Sequence, residues 1–188
     1  KSNNRVGRFM VKGVQRSQCS GRILHFRRVT DLPLHEDPRT QWPDLAFHEP
    51  DLTVRCAHGK WQLRCLVRRK WVALEPEEWV RQHIVGALVH SGWPLGRMVL
   101  EHPVRFGQVS GRVDVACFDR SGAVALAVEV KAPHIPLDEK VAEQVARYDL
   151  ALSSSMLMIS NGLRTAVWAR GTDGALVQSR DWPVPAAD

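Results

Sequence analysis

Residues 112–119 and 123–131 form two runs that are apolar on both faces, the pattern of strands covered by other structure on either side. Ser121-Gly122 lies between them and reads as a two-residue hairpin loop. Arg120 then pairs with Ala123, and the offset carried along the hairpin sets Asp114 opposite Glu129 and Arg112 opposite Lys131. Side chains alternate along a strand. Arg112, Asp114, Glu129 and Lys131 therefore share one face with Ala116, Phe118, Ala125 and Ala127. Val113, Val115, Val124, Leu126, Val128 and Val130 take the other. Two carboxylates facing each other repel, and in a half-buried sheet they also lose hydration. Something positive belongs between them. Lys131 and Arg112 can neutralise the pair, or a divalent metal ion can. Hard oxygen ligands suit Mg²⁺, and Lys131 beside the ion would hold or deprotonate a water.

The surrounding chain supplies a sheet for this hairpin. Residues 52–56, 61–67 and 71–74 read as strands around a His58-Gly59-Lys60 turn. A helix starts at Glu75-Pro76, with Glu77 and Glu78 suited to its positive end, and runs to residue 90 before Ser91-Gly92. Trp79, Val80, Ile84, Ala87 and Leu88 mark its apolar stripe. Residues 98–105 read as a strand, 137–152 as an amphipathic helix, 155–160 as a buried strand. Asn161-Gly162 then turns into a strand over 163–170. From Glu75 the order is α-β-β-β-α-β-β: an α/β (α+β) fold whose mixed sheet is flanked by helices, with an N-terminal β-hairpin extension.

The 188 residues suffice for one ordinary domain with an extension. No apolar run approaches the roughly 18 residues of a membrane-spanning helix, so no membrane partner is expected. Charge is uneven. Residues 1–70 carry 15 basic and 6 acidic side chains, and residues 71–188 carry 11 and 14. A basic half points to a polyanionic partner, nucleic acid first, or to a solvated arm. Cys19, Cys56, Cys65 and Cys117 form no C-x-x-C pair, and the start of the chain lacks a signal-peptide core; a reduced, cytoplasmic protein is expected. Cys56, His58 and Cys65 lack a fourth ligand at zinc-finger spacing and read as hairpin residues. The expected divisions are a basic, poorly ordered arm at 1–45 with a short strand near 22–26, a strand extension at 46–74, a core at 75–180 and a tail at 181–188.

Asp114 followed after a hairpin by Glu129-Val130-Lys131 resembles the D…E-x-K signature of the PD-(D/E)xK nuclease superfamily. Pro76-Glu77-Glu78-Trp79-Val80-Arg81-Gln82 resembles the opening of its first helix, and Gly111-Arg112-Val113-Asp114-Val115 its R-x-D strand. Glu129-Val130-Lys131-Ala132-Pro133 is similar to the E-x-K-A-P segment, Gln144-Val145-Ala146-Arg147-Tyr148 to the Q-x-x-x-Y motif, and Ile159-Ser160-Asn161-Gly162 to a strand ending in N-G. The ordered set resembles the N-terminal nuclease domain of the restriction subunit of type I restriction enzymes and its small stand-alone relatives. It covers about residues 71–170.

The resemblance implies a restriction-endonuclease-like αβββαβ core and a Mg²⁺-dependent endonuclease of double-stranded DNA, with Mn²⁺ as substitute. Asp114 and Glu129 would be metal ligands beside the Val130 carbonyl, and Lys131 the catalytic lysine. Glu78 would complete the shell, with Glu77 and Glu101 as alternatives. Gln144, Tyr148, Arg112 and Arg81 would support the site or touch DNA. A homodimer or a restriction-system partner subunit is compatible with this reading. Blander roles remain beside it: first-turn acids for Glu77 and Glu78, a solvent-facing strand residue for Glu101, a turn for Asn161-Gly162. A module that keeps the fold and binds DNA without cleaving it, or a junction or repair nuclease of the same superfamily, are the competing functions.

Overall fold

The computed structural model describes residues 23–25, 38–48, 50–106, 109–138, 143 and 152–186. These residues form a mixed α+β structure with one α-helix and ten strands in two sheets. The smaller sheet has the order β1-β2-β3-β4, with β1 Ile23–His25, β2 Thr53–Ala57, β3 Lys60–Arg64 and β4 Trp71–Ala73, all antiparallel. His58 and Gly59 both have positive φ, 51° and 70°, which is the backbone a tight two-residue hairpin loop requires.

Helix α1, Pro76–His90, begins with proline at its first turn, where a missing N–H costs nothing, and Glu77 and Glu78 face the positive end of its dipole. It stops where Ser91 N bonds Ala87 O and Gly92 takes a φ of +97°. The helix is buried on more than one side. Val80, Ile84, Val85 and Leu88 face the large sheet, each stabilising the fold by roughly 1.5–3 kcal/mol. Leu45, Phe47 and Pro50 cover another side. Gly86 is needed there: a Cβ at this position would lie 2.5 Å from Pro50 Cβ. Ala46 N bonds Gly162 O at 2.8 Å, and Trp42 packs on Trp79 with ring centroids 5.9 Å apart.

The large sheet has the order β10-β9-β8-β7-β6-β5. Its strands are β5 Met98–Phe106, β6 Val109–Phe118, β7 Val124–Val130, β8 Met156–Ser160, β9 Thr165–Arg170 and β10 Leu176–Ser179. Only β7 and β8 run parallel, which demands a crossover between them. The helix expected at 137–152, with Gln144 and Tyr148, lies largely outside the described residues. One core cluster joins α1 to Val115, Cys117, Leu126, Val128 and Val130; a second, on Val104, Val113, Ala127, Leu157 and Ile159, lies apart from it.

The central hairpin reaches its register by a route the sequence reading did not anticipate. Asp119 N bonds Ala123 O at 2.9 Å, so the loop is Arg120-Ser121-Gly122, three residues rather than two. Asp119 holds it, accepting hydrogen bonds from Ser121 Oγ and Ala123 N. Phe118 then faces Val124, but one step on Cys117 faces Leu126: a bulge at Ala125 restores the expected offset, and Val115 faces Val128. The bulge also turns Val124 to the Leu157 and Ile159 cluster, away from the face assigned to it. Val113 joins the same cluster instead of Val115's, because the β5–β6 ladder skips the Glu101–Asp114 position, where Glu101 has a φ of +54°.

Arg112 is not across from Lys131. The β6–β7 pairing ends at Val115, and Lys131 N bonds Ser160 O on β8 at 2.9 Å. Past this point the Asp114 carboxylate takes the Val130 N–H that a continued ladder would give to β6. The turn after β8 is shifted by one residue from Asn161-Gly162: Ser160 pairs with Thr165 and Asn161 N bonds Arg164 O at 3.2 Å, which leaves Gly162-Leu163 as the loop. Strand β10 was not anticipated.

Candidate active site

The central feature is Arg81, buried on α1 with only 6% of its surface exposed. Its guanidinium donates to Glu78 Oε2, to Glu77 Oε1 at 3.1 Å and to Asp114 Oδ1 at 3.0 Å. Helical spacing brings the first two together, since residues three and four apart share a face. Asp114 arrives from β6. Its other oxygen, Oδ2, accepts the Val130 N–H at 2.8 Å, which ties the acid to the start of the Glu129-Val130-Lys131 segment. The structure thus joins Glu77, Glu78, Arg81, Asp114 and Val130 in one hydrogen-bonded group.

Glu129 is 4% exposed and pairs with Lys131, just past the end of β7, whose Nζ lies 2.5 Å from Glu129 Oε1. The segment beyond Lys131 is fixed from β8. Asn161 Nδ2 donates to Ile135 O at 2.8 Å, while its Oδ1 accepts Leu163 N and Arg164 N. The N-G turn therefore also anchors the A-P segment that follows the lysine.

Charge shapes this group. Burial alone would lower the Arg81 pKa, but the carboxylates of Glu78, Asp114, Glu77 and Glu101 overcome it and raise it. Burial, reinforced by the Asp114 carboxylate, raises the Glu77 pKa against the lowering effect of Arg81 and Lys131. Glu77 and Lys131 thus feel each other, so helix and strand acids form one electrostatic site.

Glu101 stands at the edge of it. Arg68 NH2 donates to Glu101 Oε2 at 2.6 Å and to Leu100 O at 3.2 Å, and the arginine hydrogen bond holds the Glu101 carboxyl below the usual range. Arg112 is turned outward, 68% exposed, with its guanidinium 3.9 Å from Glu101. Gln144 and Tyr148 lie outside the described residues.

Two participants carry no role in the sequence reading. Gln82 is fully buried; its Nε2 donates to Glu78 Oε1 at 2.7 Å and its Oε1 accepts Leu66 N at 2.8 Å. It fixes the helix acid and locks the small sheet to α1. The signal was present: Glu78 and Gln82 are four apart at the head of a helix. Arg68 had no local signal, since its partner is 33 residues away.

The donor set suits a hard divalent cation: carboxylates from Asp114, Glu129 and Glu78, and a backbone carbonyl at Val130. Among the described residues no three His, Cys, Asp or Glu groups are gathered as a cation site. Instead the chain's own cations engage these oxygens, Arg81 on Asp114 and Lys131 on Glu129.

The sequence model of the family described as the type I restriction enzyme R protein N terminus (HSDR_N) matches residues 76–181. That span runs from the first residue of α1 past the end of β10 and contains every acid of the group. Comparison with curated proteins and with solved structures gives no match. With more than half of its length matched, the chain belongs to the type I restriction enzyme R protein N-terminal family.

Proposed function

We propose that the chain is a Mg²⁺-dependent endonuclease that hydrolyses phosphodiester bonds of double-stranded DNA, acting in a restriction system. The observation that carries this is the meeting of Glu78 and Asp114 beside Glu129 and Lys131, in a chain of a restriction-subunit family. The order α1-β5-β6-β7, then a strand parallel to β7, supports a restriction-endonuclease-like αβββαβ core.

Asp114 and Glu129, with Glu78 and the Val130 carbonyl, are the oxygens that would hold the ion; Mn²⁺ should substitute. A bound divalent ion supplies charge neutralisation at the phosphate and a water of lowered pKa. Lys131, whose side chain is 21% exposed, would hold that water or move its proton. Arg81 positions Asp114 and Glu78, and Asn161 fixes the chain after Lys131. Gln144 and Tyr148 are proposed to stand beside this site and Arg112 to meet DNA. A restriction-system subunit or a second copy of the chain is the proposed protein partner.

A second reading is a DNA-binding module that does not cleave. It is favoured by the guanidinium on Asp114, which keeps the acids apart from a shared cation. Plasmid nicking with Mg²⁺ or Mn²⁺ decides between them, comparing wild type with Asp114→Ala and Lys131→Ala. The nuclease reading expects metal-dependent nicking lost in both variants with the fold retained. Nicking that survives in both removes these residues from the mechanism.

A further inference from the structure

Between Asp51 and Glu75 the chain has six basic residues and not one acid. All of this stretch lies before the family match begins. It forms β2, β3 and β4, and the fold sorts it by face. Leu52, Val54 and Leu63 are buried with Trp79 in a cluster against α1. The register puts Arg55 opposite Gln62 and Arg64 opposite Trp71, on the other face, and alternation adds Lys60 to it. Lys60 and Arg64 are exposed, as are Arg69 and Lys70 in the turn from β3 to β4.

Two contacts make this more than a solvated face. The Arg55 guanidinium lies 4.1 Å over the Trp71 ring while its Nε donates to Gln62, so the cation is held in place by neutral groups. Arg68 pins the basic turn to β5 through Glu101 and Leu100 O. Glu101 in turn acts on Arg81 electrostatically. In the β5–β6 register Glu101 also stands across from Asp114, so the residue that holds the basic turn sits beside the acid group that the nuclease reading makes catalytic.

We propose that this outer face, with Arg55, Lys60, Arg64, Arg69 and Lys70, grips the phosphate backbone of duplex DNA flanking the bond to be cut. This rests on the nuclease reading of the Asp114 group. Arginine-rich faces match phosphate oxygens bidentately. A membrane surface fits less well, because it also needs an apolar anchor, and none of the large exposed apolar side chains among the described residues falls in 52–74. Recognition through phosphates carries no base sequence, so the grip is sequence-independent.

The test uses the full chain in EDTA with a fluorescent duplex of about 30 base pairs, measured by anisotropy from 50 to 200 mM KCl. Wild type is compared with Lys60→Glu/Arg64→Glu, with Arg69→Glu/Lys70→Glu, and with Arg97→Glu/Arg180→Glu as a control of equal charge change. Each pair on the face should weaken binding at least tenfold beyond the control and flatten the log K against log[salt] slope by about 2. Lys60→Gln/Arg64→Gln, with circular dichroism, guards against misfolding and should show a smaller loss of the same kind. Affinity and slope matching the control would overturn the surface while leaving nicking, and so the nuclease reading, intact. Duplex binding absent in wild type would overturn both. Binding to anionic vesicles but not to duplex would overturn the choice of DNA.

Discussion

Replacing Arg81 by methionine tests the organisation of the site independently of catalysis. The substitution keeps much of the side-chain bulk and removes the charge. It leaves Glu78 and Asp114, whose side chains are 11% and 16% exposed, without the cation that joins them. Glu77 is 45% exposed and water compensates it, so its share is small. Removing one partner from a buried ion pair costs about 3–5 kcal/mol, because the remaining charges stay buried. For a chain of this size that lowers Tm by roughly 6–20 °C. Thermal and urea unfolding at neutral pH in EDTA would measure it. In a Glu78→Gln background the loss should shrink, with a coupling of about 0.5–3 kcal/mol. Mn²⁺ sharpens the test: with Asp114 freed from the guanidinium, metal at a hundredfold excess over the variant's Kd should stabilise Arg81→Met by about 2.7 kcal/mol, and wild type by less at the same concentration. A loss below about 1 kcal/mol, the level of a surface ion pair, would refute the view of Arg81 as the buried centre of three acids.

Other outcomes follow from the packing and from the buried histidine. Gly86→Ala should destabilise by about 1 kcal/mol or more, because strain from the 2.5 Å approach to Pro50 outweighs the roughly 1 kcal/mol gained in helix propensity. A stabilised variant in urea melts would show that Pro50 does not pack closely on α1. His83 is buried, and loss of hydration holds its pKa below the usual 6.5, against the hydrogen bond to Trp79 O. The unfolded chain takes up the proton first, so this contribution is whole above pH 6.5 and is lost as pH falls toward the folded value. His83→Gln should therefore flatten the stability profile below pH 6.5 by up to about 1.4 kcal/mol per pH unit. An unchanged slope would assign the acid sensitivity to other groups.

The order of elements was legible because it depends on patterns a few residues long. Pro76 with two acids announces α1, and the apolar runs announce β6 and β7. Strand β10 was missed because only Leu176 and Val177 are apolar in it, although Asp173-Gly174 before it is a turn signal. The central register came out as expected for Val115, Ala116 and Cys117 by cancellation: a loop one residue longer than expected is offset by one extra residue at the Ala125 bulge. No local rule announces that bulge, which depends on how β7 must bend between its neighbours.

The site shows the same division between local and distant causes. The sequence offers two positive groups to set between Asp114 and Glu129, and it picks the neighbours on the hairpin, Arg112 and Lys131. Lys131 does pair with Glu129, two residues back at the end of β7. Arg112 does not serve, since β6 parts from β7 before reaching it. Its place is taken by Arg81, 33 residues from Asp114 in sequence. Only the packing of α1 onto the sheet through Val80, Ile84 and Val85 carries that guanidinium to β6. The same packing presents Glu77 and Glu78, so helix docking delivers the acids and their counter-charge in one event. Any cation that later binds Asp114 through Oδ1 has to compete with a guanidinium already held by two other carboxylates. If the proposed ion binds there, its affinity would be set on α1 as much as on the hairpin that carries the signature residues.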